Sequence, residues 1–547
     1  MELIPIKSTI FARVLAAVVA VGIALLTAGC REDDGSGYIF KYDISANPQT
    51  LDPQMANDPN AETIIRNVYM GLLCANADGS LSAGCAEDWY VSDDGLVYKF
   101  RLRQDIFWID SDDFERQCTA EDFVYGFWRL FIPETKAPRA EEYFCIKNAE
   151  RVNKGAVKDK SQLGVKATGE FELEITLETP NPRFALLLSE PPAMPCNEEF
   201  FLESQGRYGL DAECTPSNGA FYVKSWNYDP YTITDNNNLI LRRNNKNSAA
   251  KRVYPGGLNF FIEDESDFVS DFITGTTSCI AVTDEGAAQI SGEFNVERFS
   301  NITTGLIFNR SFELFKNEDF LRAMSLLANR EAIGKALAHF DTASDIVPAQ
   351  VSMLDKGYRE LVGTAGERDY NAAEAKRCLE NALPLLDREL FIGARILVPD
   401  STAADAVSFV MQEWQGKLGF YCVVEVAEGA EYRRRLESGD FELAVVDLSG
   451  SYNSPAAYLS AFRRGDLANY GGFFDNELEQ LMERAEVAAD LSESAELYFK
   501  AEQLVLERVG FVPLYYKNEY FYTDPDTADI IYNPFSKTVD FSAAKRF

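Results

Sequence analysis

Few residues in this chain are suited to acid–base or metal chemistry. His339 is the one histidine among 547 residues. That removes most His-based triads, multi-His metal sites and histidine general bases. It ends a helical pattern over residues 320–338, where a cationic partner for the helix C-terminus is a sufficient role. No Gly-x-Ser-x-Gly elbow and no Cys-x-x-Cys is present. We therefore expect no catalytic residue, no metal and no cofactor. Acid pairs such as Asp112-Asp113 are common in a chain of net charge −34. On inventory alone they leave a secreted acid-pair hydrolase as the enzyme alternative. Ten cysteines complete the set. Nine follow Cys30: Cys74, Cys85, Cys118, Cys145, Cys196, Cys214, Cys279, Cys378 and Cys422. Thiols outside the cytoplasm tend to pair, and an odd number leaves at least one free. Spacing does not fix connectivity. Local closure favours Cys74 with Cys85, across the Asp78-Gly79 turn, and Cys196 with Cys214.

Cys30 has a different context. Lys7 and Arg13 precede an almost unbroken apolar run at 14–28, followed by Gly29 and Cys30. The run is shorter than the ~20 residues a spanning helix needs, and a basic start with small residues at the end reads as a secretory signal. Ala28-Gly29-Cys30 resembles a bacterial lipobox, with Thr27 where Leu is usual. The resemblance implies that Cys30 is acylated and becomes the new N-terminus. The alternative is a plain secretory signal that happens to contain a cysteine. Either way the mature chain is exported, to the cell surface or the periplasm. As a lipoprotein it is held on the outer face of the cytoplasmic membrane. Arg31 to Gly37 is charged and Gly/Ser-rich, a flexible linker.

The elements behind these residues are mixed. Hydrophobic content of 46% and aromatic content of 12% describe well-cored domains, and the length calls for two or three of them. The negative charge disfavours nucleic acid and anionic headgroups. It suits either cationic ligands or plain solubility. Helical spacing covers 62–73, 119–130, 319–340, 403–418, 476–488 and 492–508; strand patterns cover 38–44, 97–102, 171–177, 392–398 and 441–446. Their interleaving predicts α/β lobes.

An ordered series of blocks runs along the chain: Asn47-Pro48-Gln49-Thr50-Leu51-Asp52-Pro53, Val68-Tyr69-Met70-Gly71-Leu72, Ala86-Glu87-Asp88-Trp89, Thr119-Ala120-Glu121-Asp122-Phe123, Ser217-Asn218-Gly219-Ala220-Phe221, and Val512-Pro513-Leu514-Tyr515-Tyr516. This order resembles the extracytoplasmic solute-binding proteins of peptide- and nickel-type ABC importers (family 5, oligopeptide/dipeptide-binding type). The resemblance covers residues 42–541. It implies a two-lobed periplasmic-binding-protein-like α/β fold of class II, peptide-binding type, with an extra subdomain on the first lobe. The implied division is 1–29 signal peptide, 30–37 anchor and linker, 38–75 with 200–305 and 515–547 as lobe I, 76–199 as the subdomain, and 306–514 as lobe II. The implied function is capture of a peptide or related solute and its delivery to ABC permease subunits, with the membrane reached through the lipid anchor. A surface receptor or sensor for a non-peptide ligand uses the same fold.

The resemblance also points to cleft residues. One peptide-contacting segment matches Asn57-Asp58-Pro59-Asn60, whose structural alternative is a polar turn before the next helix with Asn57 or Asn60 as its cap. Asn218-Gly219 matches a second, with a backbone turn needing positive φ as the alternative. The third matches Asp447-Leu448-Ser449-Gly450-Ser451-Tyr452-Asn453-Ser454-Pro455. Peptide binders place an Asp for the ligand's α-ammonium where this chain has Ser451. A hydroxyl does not replace a carboxylate beside a desolvated cation. Either Asp447 reaches the cleft instead, or the ligand brings no ammonium to that point. Tyr452 and Asn453 complete the candidate set.

Overall fold

The computed structural model describes residues 37–547 except 77–78, 112–113, 232–236, 247–252, 264, 338 and 367–369. Cys30, the signal segment, most of the linker and Asp112-Asp113 lie outside the described residues.

Strand β1 (Ile39–Ile44) pairs in parallel with Gly257–Ile262, which continues antiparallel through Asn238–Arg243 to Phe221–Asn227. Helix α1 (Pro59–Val68) starts where Asp58 accepts the Ala61 N–H at 2.9 Å, with Pro59 in its first turn. It buries Ile64, Ile65 and Val68. A four-stranded sheet follows, ordered Ala86–Val91, Val97–Leu102, Glu172–Thr176, Val165–Gly169. Helix α2 (Ala120–Phe131) packs beside it. Asp122 holds its start by accepting the Thr119 N–H at 2.7 Å.

The second half is organised by a seven-stranded sheet. It runs β2 (Cys279–Thr283), β5 (Val512–Thr523), β3 (Asn295–Phe308), β4 (Leu443–Ser449), Ile392–Val398, Tyr421–Val426, with Asp341–Thr342 on β5. Side chains of its inner strands alternate between two cores. Leu306, Phe308, Leu443 and Ile396 join Phe320 and Trp414 on one face. Ile307, Ala444 and Leu397 join Phe441, Tyr498 and Phe511 on the other. A strand buried on both faces reads as a continuous apolar run, as Ile396-Leu397-Val398 does. A separate core gathers Phe40, Ile64, Phe123, Leu173, Phe260, Phe521 and Phe541. Strands β3 and β5 link the cores. Phe299 and Phe521 pack on the first; Leu306 and Tyr515 belong to the second. Between them β3 shifts register against β5 at Phe299/Ile302 and again at Thr304/Gly305.

Some sequence expectations need correction. The helix expected over 319–340 is two helices, Glu318–Leu326 and Arg330–Ala336, because Asn329 caps a new start by accepting the Ala332 N–H. His339 therefore follows a short second helix, with its ring against Phe340 and its carbonyl accepting from Asn518. Neither expected disulfide is formed, and all nine cysteines from Cys74 to Cys422 are free thiols. Cys74 sits on a hairpin opposite Ser82, while Cys85 lies beyond its end with Sγ donating to the Met70 carbonyl. Cys196 Sγ accepts from Arg129 at 3.3 Å inside an aromatic cluster, whereas Cys214 is tied to the Asp211 turn. The Leu51-Asp52-Pro53 block has a structural role. Asp52 and Arg129 form a buried ion pair at 2.5 Å, with Gln54 accepting a further Arg129 N–H and Phe201 stacked against the guanidinium at 3.9 Å. Among the described residues no helix is long and apolar enough to cross a membrane.

Candidate functional site

A cavity of about 310 Å³ opens where α1 ends. One wall is Arg66, Tyr69, Met70 and Leu73; a second is Leu186, Ser189 and Met194; a third is Gln350, Ser352, Leu354 and Asn453; a fourth is 531–542. Side chains from opposite ends of the chain thus face one space. Its lining is aromatic and aliphatic, with amide and hydroxyl groups set among Tyr69, Phe299 and Tyr532. This is the usual composition of a small-molecule site.

Direct contacts join the segments that carry these walls. The Arg183 guanidinium lies 3.5 Å from the centre of the Tyr452 ring. Arg183 also feels the charge of Glu486. At the other end a Cβ on Gly79 would fall 2.5 Å from Ser352 Oγ and 3.1 Å from Asn453 Nδ2, and Gly79 holds φ +82°. Only glycine suits that close approach. Asn453 is itself fixed: its Oδ1 accepts the Ser352 N–H at 2.8 Å and its Nδ2 donates to Ser352 Oγ at 2.7 Å.

Two charged residues line the cavity, Arg66 and Asp540. Arg66 is already engaged. It meets Glu190 at 2.6 Å and Glu62 at 3.9 Å, and donates to the Ser189 carbonyl. Arg139 joins the same network through Glu62 and Glu142. Burial raises the Glu62 carboxyl above its usual range despite both arginines. Burial acts on Glu190 too, but Arg66 and Arg139 overcome it and hold Glu190 below its ordinary value. Burial also pushes Asp540 up, against the Ser542 hydrogen bonds and the field of Arg66. Among the described residues no group of three or more His, Cys, Asp or Glu side chains is arranged to hold a metal ion.

The residues expected from sequence separate into two groups. Asn453 lines the cavity; Tyr452, next to it, does not, and its ring packs on Arg183. The others do not line it. Asp58 is the α1 cap, Asn57 and Pro59 are exposed beside it, and Asn60 donates to Ser45. Asn218 is fully buried; it accepts the Met70 N–H at 3.0 Å and donates to the Met70 carbonyl at 3.0 Å. Gly219 has no positive φ. It is needed because a Cβ would lie 2.6 Å from the Val68 carbonyl oxygen. Asp447 meets Lys517 at 2.9 Å and accepts from Thr304 Oγ1 at 2.6 Å, so its charge is compensated away from the cavity. Ser451 is exposed and lines no part of it. Arg66, Arg183 and Asp540 went unmarked in the sequence. The Asp540-Phe541 pair next to the chain end carried no motif, and no local pattern links Arg183 to Tyr452.

Comparison with known proteins places this geometry. The profile of the bacterial extracellular solute-binding proteins, family 5 (middle region), matches residues 80–469. A probable deoxycholate-binding periplasmic protein of Escherichia coli is 27% identical over 495 residues, covering 88% of each chain. The oligopeptide-binding protein of Bacillus subtilis is 25% identical over 522 residues, covering 90% of this chain and 89% of its own. Among solved structures, a periplasmic murein tripeptide-binding protein in its unliganded open form superposes with a TM-score of 0.72 at 19% identity, covering 93% of this chain and 97% of its own. The fold is the two-lobed α/β fold of such proteins.

Proposed function

Because the chain belongs to the family 5 bacterial extracellular solute-binding proteins, we propose that it captures a peptide or related solute between its lobes and hands it to the membrane permease of an ABC importer. One observation carries this reading: a single cavity takes its walls from residues 66–76 and Gly79, 186–194, 350–354 and 453, and 531–542. A solute held there touches all of these segments at once, so it favours the closed arrangement. In this reading lobe I comprises 38–75, 200–305 and 515–547, the subdomain 76–199, and lobe II 306–514. Strands β3 and β5, shared by both cores, form the hinge. Acylation at Cys30 keeps the protein close to the permease and raises their effective concentration.

A second reading, a receptor or sensor for a non-peptide ligand, is favoured by two observations. Ser451 stands where peptide binders carry a carboxylate, and one relative is named for deoxycholate. A thermal-shift screen with short peptides, bile salts and oligosaccharides distinguishes them. We expect at least one compound class to raise Tm without being consumed. A bile salt acting alone selects the second reading. Turnover of a stabilising compound overturns both in favour of a hydrolase. For the anchor, Cys30→Ser should move the protein from the membrane fraction to the soluble fraction; unchanged fractionation refutes acylation.

A further inference from the structure

Asp540 stands out among the cavity residues because its charge has no partner. Among the described residues no Lys, Arg or His comes within ion-pair distance of it, although it lines the cavity. Its position is built rather than incidental. Val539 and Phe541 on either side are fully buried. The Val539 carbonyl accepts Asn67 Nδ2 at 2.9 Å, and the Phe541 N–H donates to Asn67 Oδ1 at 2.9 Å. Asn67 and Thr63 belong to α1, so both flanking backbones are clamped to that helix. Alternation then turns Asp540 the other way, into the cavity. Its Oδ1 accepts the Ser542 N–H at 2.7 Å, which sets the carboxyl's orientation.

Arg66, the other charged residue of the lining, does not cancel it. Arg66 and Arg139 share three carboxylates, Glu62, Glu142 and Glu190. Arg66 is held by Glu190 and Glu62 and makes no ion pair with Asp540. A carboxylate removed from bulk water without a counter-ion is costly, and a ligand cation relieves that cost.

Resting on the solute-capture reading above, we infer that Asp540 anchors the ammonium group of the bound solute. The cation is then held from the wall clamped to α1. The exposed Ser451 hydroxyl and the Lys517-paired Asp447 take no part. The solute class this selects is an amine-bearing one, with its apolar body against Tyr69, Phe299 and Tyr532.

The test uses matched pairs: short peptides with a free amine and the same peptides N-acetylated, with deoxycholate as an anion. Each is titrated by calorimetry into the wild type, Asp540→Asn and Asp447→Asn. The isosteric Asn keeps an acceptor for Ser542, and the melting curve of the ligand-free variant checks its folding. We expect Asp540→Asn to weaken the free-amine ligand more than tenfold, to change the acetylated ligand less than threefold, and not to weaken deoxycholate. Asp447→Asn should change none of them by more than threefold. Equal affinity of wild type and Asp540→Asn for the free-amine ligand overturns this inference and leaves solute capture standing. If the wild type binds no compound of any class, the underlying reading falls and this inference with it.

Discussion

Removing Arg183 should loosen the hold on solute without unfolding the protein. The guanidinium sits 3.5 Å from the Tyr452 ring centre, well inside the ~6 Å reach of a cation–π contact. The ring is half-buried, so the contact is worth between about 0.5 kcal/mol, the exposed limit, and about 2 kcal/mol, the desolvated one. If it exists only while the lobes are closed, Arg183→Ala shifts the closed-to-open ratio by that amount. At 1.4 kcal/mol per decade this is roughly a 2- to 30-fold change. Solute escapes through the open state, so the loss should appear in the dissociation rate. Stopped-flow release from wild type, Arg183→Ala, Tyr452→Ala and the double variant measures it. The two single effects should not add, because either substitution removes the same contact. Arg183→Lys, which keeps the charge but loses the planar stack, should fall between. Additive effects, or an unchanged release rate with a lowered urea midpoint, refute the latch and leave Arg183 as an ordinary stabilising residue.

Other substitutions test other parts of the fold. Gly79→Val should place a side chain against Ser352 and Asn453 and hold the lobes apart; small-angle scattering with saturating solute should then show no contraction, while a normal contraction would count against the close approach. Arg129→Met leaves Asp52 buried without its partner and should cost about 3–5 kcal/mol in urea unfolding; the double variant Asp52→Asn/Arg129→Met should recover part of it, and a loss below about 1 kcal/mol would refute the pairing. Asp43 is pushed up to about 7 by burial and by Asp271, Glu263 and Asp267. A carboxyl raised above its unfolded value contributes stability at low pH that is lost as pH rises through the folded value. Asp43→Asn should therefore raise Tm more at pH 8 than at pH 5, and a pH-independent difference would contradict it.

Local patterns were readable where the physics is local. The Thr119-Ala120-Glu121-Asp122 start of α2 and the alternating strand at 97–102 follow from caps and periodicity. The 319–340 segment misled because its apolar spacing continues across Asn329, where a side-chain cap restarts the helix. Of the residues expected at the site, Asn453 lines the cavity, while Tyr452 packs on Arg183. Asn57, Asp58 and Pro59 were legible only as a cap. Asp540 was not, because what orients it is a pair of hydrogen bonds to Asn67 from the other end of the chain. Arg129 likewise gains its meaning only from Asp52, which packing brings to it.

The clamp between Asn67 and Val539 joins residues 472 positions apart. While the chain is being made, α1 therefore lacks the strand that completes its surroundings until the final residues emerge. The core of Phe40 and Ile64 also waits for Phe521 and Phe541. Chains usually settle their N-terminal part first during synthesis, and closing such distant pairs slows folding further. Here the core around Phe40 and Ile64 stays incomplete until residues 521–541 are available. An extracytoplasmic binding protein gains time in that interval, since its chain remains threadable until residues 521–541 are available.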